Sequence, residues 1–157
     1  MNKHVVQVGD MKIAKASDII ITHALGSCVG MSIYDPVEKL GGLLHFQLAE
    51  LKVERTNNNP LIYADSAIPL FLREFERLGG SINRAVIKGA GGAVINSEKD
   101  YFSIGQKNIL AAKKMLWKYD LLFESEDFGG NHYRTMEITL SDGRVTCRNH
   151  DHGQWEL

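Results

Sequence analysis

The chain has 157 residues and only two cysteines, Cys28 and Cys147. Two cysteines without export read as free thiols and not as a bridged framework. Neither sign of charge dominates: Lys and Arg total 18, Asp and Glu total 19, and the formal charge is −1. No broad basic surface is forced, so nucleic acid is not expected as the main partner. No apolar run approaches the ~20 residues of a membrane span, and no membrane insertion is expected. The N-terminus, Met1-Asn2-Lys3-His4, leads only to the Val5-Val6 pair before polar residues return, which does not read as a signal peptide. Internal repeats and linkers are missing as well. The length suits one domain with a hydrophobic core, residues 1–157, and a cytoplasmic setting is expected.

What is present is a pattern of short strands interrupted by two helices. Residues 4–16 alternate loosely and predict a strand or a hairpin turning at Gly9-Asp10. Asp18 to Thr22 is a compact β-branched run, expected as a buried strand. Leu25-Gly26-Ser27 breaks the pattern. Val29, Met31 and Ile33 then alternate with Gly30, Ser32 and Tyr34, the period of a strand. Asp35-Pro36 and Gly41-Gly42 bracket a turn, and Leu43 to Leu48 is expected back as its antiparallel partner. Residues 54–60 read as a polar loop. From Leu61 the period becomes helical, with Leu61, Ala64, Ile68, Phe71, Leu72, Phe75 and Leu78 on one face. Pro69 should kink that helix or mark a late start, and Gly79-Gly80 should stop it.

Further along, Arg84 to Lys88 predicts a strand followed by a glycine loop through Ala93. A second helix is expected from Ser103 or Ile104 to about Tyr119, burying Ile109, Ala112, Leu116 and Tyr119. Leu121 to Glu126 predicts a strand, and Phe128 to Asn131 a glycine turn. Ser141-Asp142-Gly143 signals a hairpin between Thr135–Leu140 and Arg144–Arg148. The tail from Asn149 is polar and is expected to fray, Trp155 excepted. The fold class that follows is α+β: a strand-rich sandwich with two principal helices packed on a largely antiparallel sheet.

The chemistry concentrates between Thr22 and His45. A lone cysteine is by default a small buried hydrophobe. Cys28, however, follows Gly26-Ser27 in a turn where main-chain amides can converge, and it stands at the start of a strand. To act as a nucleophile it needs a base or a cationic neighbour. His45 is the candidate base, and the hairpin makes this testable. If Tyr34 pairs with Gly41, Gly30 lies opposite His45, and Cys28 becomes a diagonal neighbour on the same face. A slip of one residue would put the two on opposite faces. Gly30 has no side chain to stand between them. Thr22 reads first as a β-branched strand residue, although its hydroxyl can also accept from an imidazole nitrogen and fix the tautomer. Ser27 is either a turn former or a residue that helps hold a substrate oxygen.

Other motifs carry less. Lys88-Gly89-Ala90-Gly91-Gly92-Ala93 lacks the Gly-Lys-Ser/Thr ending of a phosphate loop, and reads as a close-approach loop beside the site. His150-Asp151-His152 has ligand-type side chains, but a short polar tail supports no metal assignment. Cys147 falls on the inward face of its strand and reads as core. His23 should face away from Thr22 and lie outside the site.

Taken together, several segments resemble the CheD family, the chemoreceptor glutamine deamidases of bacterial and archaeal chemotaxis. They are Leu25-Gly26-Ser27-Cys28-Val29-Gly30 with Tyr34-Asp35, and Gly41-Gly42 leading to His45. Tyr63-Ala64-Asp65 with Ala67-Ile68-Pro69, and Lys88 with Gly91-Gly92-Ala93, continue the likeness. Ile104-Gly105-Gln106-Lys107-Asn108, Asp127-Phe128-Gly129-Gly130 and Arg134 complete it. The chain departs from the usual pattern at Ala49, Ala90 and Phe128, none of them in the site.

The resemblance implies a sandwich similar to that of bacterial toxin deamidases and a triad of Cys28, His45 and Thr22. Gly26, Ser27 and Gly30 would then lie at the substrate. It implies a protein-glutamine glutaminase acting on the cytoplasmic helices of methyl-accepting chemoreceptors, with no metal and no cofactor. Methylesterase side activity and binding to a CheC-type phosphatase of phosphorylated CheY are further implications. The rival expectations are a binding module that serves mainly as the CheC partner and a redox sensor built on Cys28.

Overall fold

Period-two alternation in the middle of the chain demands two different apolar environments, and the fold supplies them. A computed structural model describes residues 1–51, 58–95 and 103–157. Strand β4 (Val29–Asp35) and strand β5 (Leu40–Phe46) are buried along their whole length. Val29, Met31, Ile33, Leu40, Leu44 and Phe46 face a pair of helices, α1 (Ala64–Arg77) and α2 (Ile104–Trp117). Tyr34 and Leu43 face the opposite way, into a second core. Each large apolar side chain withdrawn from water in this way contributes about 1.5–3 kcal/mol.

The second core lies between two sheets. One sheet contains β4 and β5 together with β2 (Asp10–Lys15), β6 (Val86–Gly91) and β7 (Ser125–Phe128), in the order β2-β5-β4-β6-β7. The other contains β1 (Lys3–Val6), β3 (Ile19–Leu25), β8 (Arg134–Thr139), β9 (Arg144–Asn149) and β10 (Gly153–Glu156), in the order β1-β3-β8-β9-β10. The layers are therefore helices, the β4-containing sheet, and the β3-containing sheet. The α+β sandwich expected from the sequence is observed, with its strands divided between two mixed sheets. Each sheet has one parallel pair, β1 with β3 and β6 with β7.

Several local expectations are corrected. Residues 4–16 do not form one hairpin. The chain changes sheet at Gly9, which adopts φ +71°, so that β1 pairs with β3 and β2 pairs with β5. The polar tail does not fray, because β10 pairs with β9 and sets Trp155 beside Cys147. The strand expected at 121–126 begins only at Ser125. Leu121 instead closes the end of α2 through its N–H to the Leu116 carbonyl, and Leu122 is exposed. Tyr119 lies past the end of α2 and is exposed. Of the polar loop expected at 54–60, residues 54–57 lie outside the described residues.

Expectations for α1 hold in part. It starts at Ala64, behind a short 3-10 turn at Pro60–Ile62 that takes up Leu61, and Pro69 stands inside the helix and does not mark its start. It buries Ala64, Ile68, Phe71, Leu72 and Phe75 and stops at Gly79, whose φ is +107°. The hairpin at Ser141-Asp142-Gly143 joins β8 to β9.

Candidate active site

The register on which the thiol-imidazole pairing depended is the one observed. Tyr34 pairs with Gly41 and Gly30 with His45. Asp35 anchors this hairpin: its carboxylate accepts from the N–H groups of Val37, Glu38 and Ser81 and from Arg84. The Arg84 guanidinium holds that carboxyl well below the usual carboxylate range. Cys28 immediately precedes β4 and packs at the edge of the inter-sheet core, half-buried. His45 is 1% exposed and reaches across the gap to the facing sheet.

There it meets Thr22. A bulge in β3 between Thr22 and Leu25, with Ala24 at φ +58°, lets both Thr22 and Leu25 turn inward although they are an odd number of residues apart. Thr22 Oγ1 lies 2.7 Å from His45 Nδ1 and 2.7 Å from the Val6 carbonyl oxygen. A carbonyl can only accept, so the single Thr22 hydroxyl hydrogen goes to Val6. His45 Nδ1 must then carry the hydrogen of the other contact and donate it to Thr22. In the neutral ring this leaves the Nε2 lone pair free, and Nε2 has no hydrogen-bond partner among the described residues. Burial lowers the His45 pKa to about 4. Burial also pushes the Cys28 thiol up. At neutral pH the two groups rest as a neutral thiol and a neutral imidazole.

The remaining residues expected near the site take different places. Gly26 is buried, and a Cβ there would sit 2.7 Å from Tyr133 Cε1 and 3.1 Å from Ile95 Cγ1. Its missing side chain lets those two residues close over the turn. The space above Gly30 is filled by Leu25 and Met136 of the facing sheet, 2.9 and 3.0 Å from a notional Cβ. This glycine therefore admits the opposite sheet and does not simply clear a path from His45 to Cys28. Ser27 is half-buried within the turn. His23 is exposed, away from Thr22, and borders a surface groove of about 750 Å³ with Tyr133 and Arg148. Cys147 is fully buried core. His150, Asp151 and His152 are exposed in the turn before β10.

The glycine segment after Lys88 is part of β6 as far as Gly91 and does approach closely. A Cβ on Gly91 would lie 2.2 Å from the Cys28 carbonyl oxygen, and the Gly92 N–H donates to that same oxygen at 2.8 Å. Arg134, buried, ties down the end of β7 and the turn after it by donating to the Asp127 and Gly129 carbonyls and pairing with the Asp127 carboxylate. One buried residue was not legible as part of the site. Asn108 of α2 donates from Nδ2 to the carbonyls of Ser27 and Gln47, both at 2.8 Å. Its only sequence signal was membership of the 104–108 motif.

The structure thus sets a half-buried thiol in a main-chain turn at the edge of a two-sheet sandwich, and a buried, hydroxyl-bound imidazole opposite Gly30, two residues further on. Residues 48–149 match the family described as "CheD chemotactic sensory transduction". The "Probable chemoreceptor glutamine deamidase CheD 1" of Syntrophus aciditrophicus is 40% identical over 148 residues, covering 92% of each chain. A similarly named protein of Desulforamulus reducens is 42% identical over 91% of this chain and 89% of its own. One from Pyrococcus abyssi is 41% identical, again over 91% and 89%. This chain belongs to the CheD family.

Proposed function

We propose that the protein hydrolyses specific glutamine side chains of chemoreceptors to glutamate, with Cys28 as nucleophile and His45 as acid and base. The observation that carries this reading is the committed hydrogen of Thr22. It directs His45 Nδ1–H to Thr22 and leaves Nε2 as a buried lone pair, on a strand whose register sets Gly30, two residues after Cys28, opposite His45. Family membership and the names of the relatives support the substrate.

With both groups neutral at rest, His45 Nε2 takes the thiol proton as Cys28 Sγ bonds to the amide carbon of the glutamine. The oxyanion so formed meets main-chain N–H groups of the Ser27-Cys28 turn. The carbon–nitrogen bond breaks, and His45 returns the proton to the departing ammonia. Water, deprotonated by the same nitrogen, then attacks the thioester and releases glutamate and the free thiol. These steps balance without a metal or cofactor. On a glutamate methyl ester the same steps expel methanol, which is the basis of a methylesterase side activity.

The site draws on segments from Val6 to Asn108, so the chain is read as one deamidase domain over 1–157. A CheC-type phosphatase is the second partner in this reading. Cys28→Ala should abolish ammonia release from a purified receptor fragment, a loss of at least about 10³-fold, while binding to a CheC-type phosphatase persists. Unchanged ammonia release in this variant would refute the nucleophile.

A further inference from the structure

Three successive carbonyls in the nucleophile turn are each held, by the segment after β6 or by α2. The Gly26 oxygen accepts from the Ala93 N–H, the Ser27 oxygen from Asn108 Nδ2 and the Cys28 oxygen from the Gly92 N–H, each at 2.8 Å. In a planar trans peptide the carbonyl and the following N–H point in opposite directions. Holding the Gly26 and Ser27 carbonyls against the segment after β6 and against α2 therefore turns the Ser27 and Cys28 N–H groups the other way. Neither N–H donates to another residue among the described ones; the one contact is from the Cys28 N–H to its own sulfur. The Cys28 N–H lies on the side of its own sulfur, where it favours the thiolate.

We propose that Asn108 is a positioning residue that aims the Cys28 N–H as an oxyanion donor, by holding the carbonyl of the same Ser27–Cys28 peptide. Asn108 is fully buried, and both neighbours of its amide nitrogen are acceptors, which assigns the amide orientation. The second bond goes to the carbonyl of Gln47, two residues past His45, so one amide ties the nucleophile turn to the strand that carries the base. Gly105, one turn earlier on α2, makes the approach feasible: a Cβ there would sit 2.4 Å from the Gly92 oxygen and 2.6 Å from the Ala93 oxygen. Bonding at the carbonyl also polarises the peptide and strengthens its N–H as a donor. This role rests on the deamidase reading and deepens it.

The test compares Asn108→Ala and Asn108→Asp with the wild-type chain in two assays. The first is ammonia release from a receptor fragment. The second is alkylation of Cys28 by iodoacetamide, which forms no oxyanion. The expected result is a fall in kcat of about 100-fold, with KM and the alkylation rate within about threefold of wild type. Asn108→Asp should also gain on Asn108→Ala as pH falls from about 8 to about 6. A buried carboxyl facing two carbonyls takes up a proton in that range and then donates one hydrogen bond. A kcat close to wild type would overturn the assignment. So would a parallel fall of kcat and alkylation, which would mean a collapsed turn and a purely structural residue. A wild-type chain that releases no ammonia would refute the deamidase reading itself, a separate and distinguishable failure.

Discussion

The two cysteines occupy neighbouring parts of the same core and differ in almost everything but chemistry. Cys147 sits in mid-strand, opposite Met136 on one side and Trp155 on the other, with no exposed surface. Burial pushes its thiol up to about 12. Cys28 is also pushed upward by burial, so the direction of the pKa shift does not separate the two thiols. What separates the two is company and access. Cys28 stands in a turn, at the edge of the core, diagonal to an imidazole with a free lone pair. Cys147 is flanked by strands on both sides. The proposed route to reactivity for Cys28 is therefore a base that can receive its proton during attack, and not a lowered pKa.

Three experiments press on that contrast. The largest expected effect is in labelling. Under native conditions iodoacetamide should modify Cys28, while Cys147 reacts more slowly by at least about 10³-fold, because exposing it requires opening a structure worth several kcal/mol. Mass spectrometry of the two peptides reads the ratio, and comparable rates would erase the distinction. Next comes Thr22→Val, which keeps the shape and removes the hydroxyl that His45 Nδ1–H meets. A drop in kcat of about 10- to 100-fold with Cys147 still protected is expected in steady-state kinetics.

The smallest effect is thermodynamic. His45 has a folded-state pKa of about 4, below its ordinary value. Between those two values the unfolded chain binds the extra proton, so stability falls as pH falls. The slope is about 1 kcal/mol per pH unit, and it disappears below the folded pKa. Denaturant midpoints of wild type and His45→Gln across that window should diverge, with the variant the flatter of the two. Parallel curves would mean that His45 is not held neutral in the folded protein.

Much of this arrangement was readable from local rules. Alternation marked β4 and β5 as antiparallel partners, and the pairing of Tyr34 with Gly41, posed as a condition, is the one observed. A period of two converts register directly into facing, so Cys28 and His45 share a side on the condition that Tyr34 pairs with Gly41, a condition the observed register meets. The stripe of α1 was equally plain, because each of its buried residues is apolar. Partner choice was not readable. Alternation in residues 4–16 announces strands but does not say that β1 joins one sheet and β2 the other. Gly30 was seen as empty space, yet what fills that space, Leu25 and Met136, arrives from strands of the other sheet. Asn108 was hidden for a related reason. A polar residue on an amphipathic helix ordinarily faces water, and its partners here are main-chain carbonyls, which leave no trace in residue identity.

The bond from Thr22 to Val6 has an evolutionary reading. The acceptor that orients the hydroxyl, and through it the imidazole tautomer, is a backbone oxygen. Every amino acid supplies that oxygen, so position 6 can drift among strand-compatible side chains without disturbing which ring nitrogen of His45 holds the proton. Only a shift in how β1 lies against β3 would reach it, which makes the pairing of those strands, and not the identity of residue 6, the quantity that selection must guard.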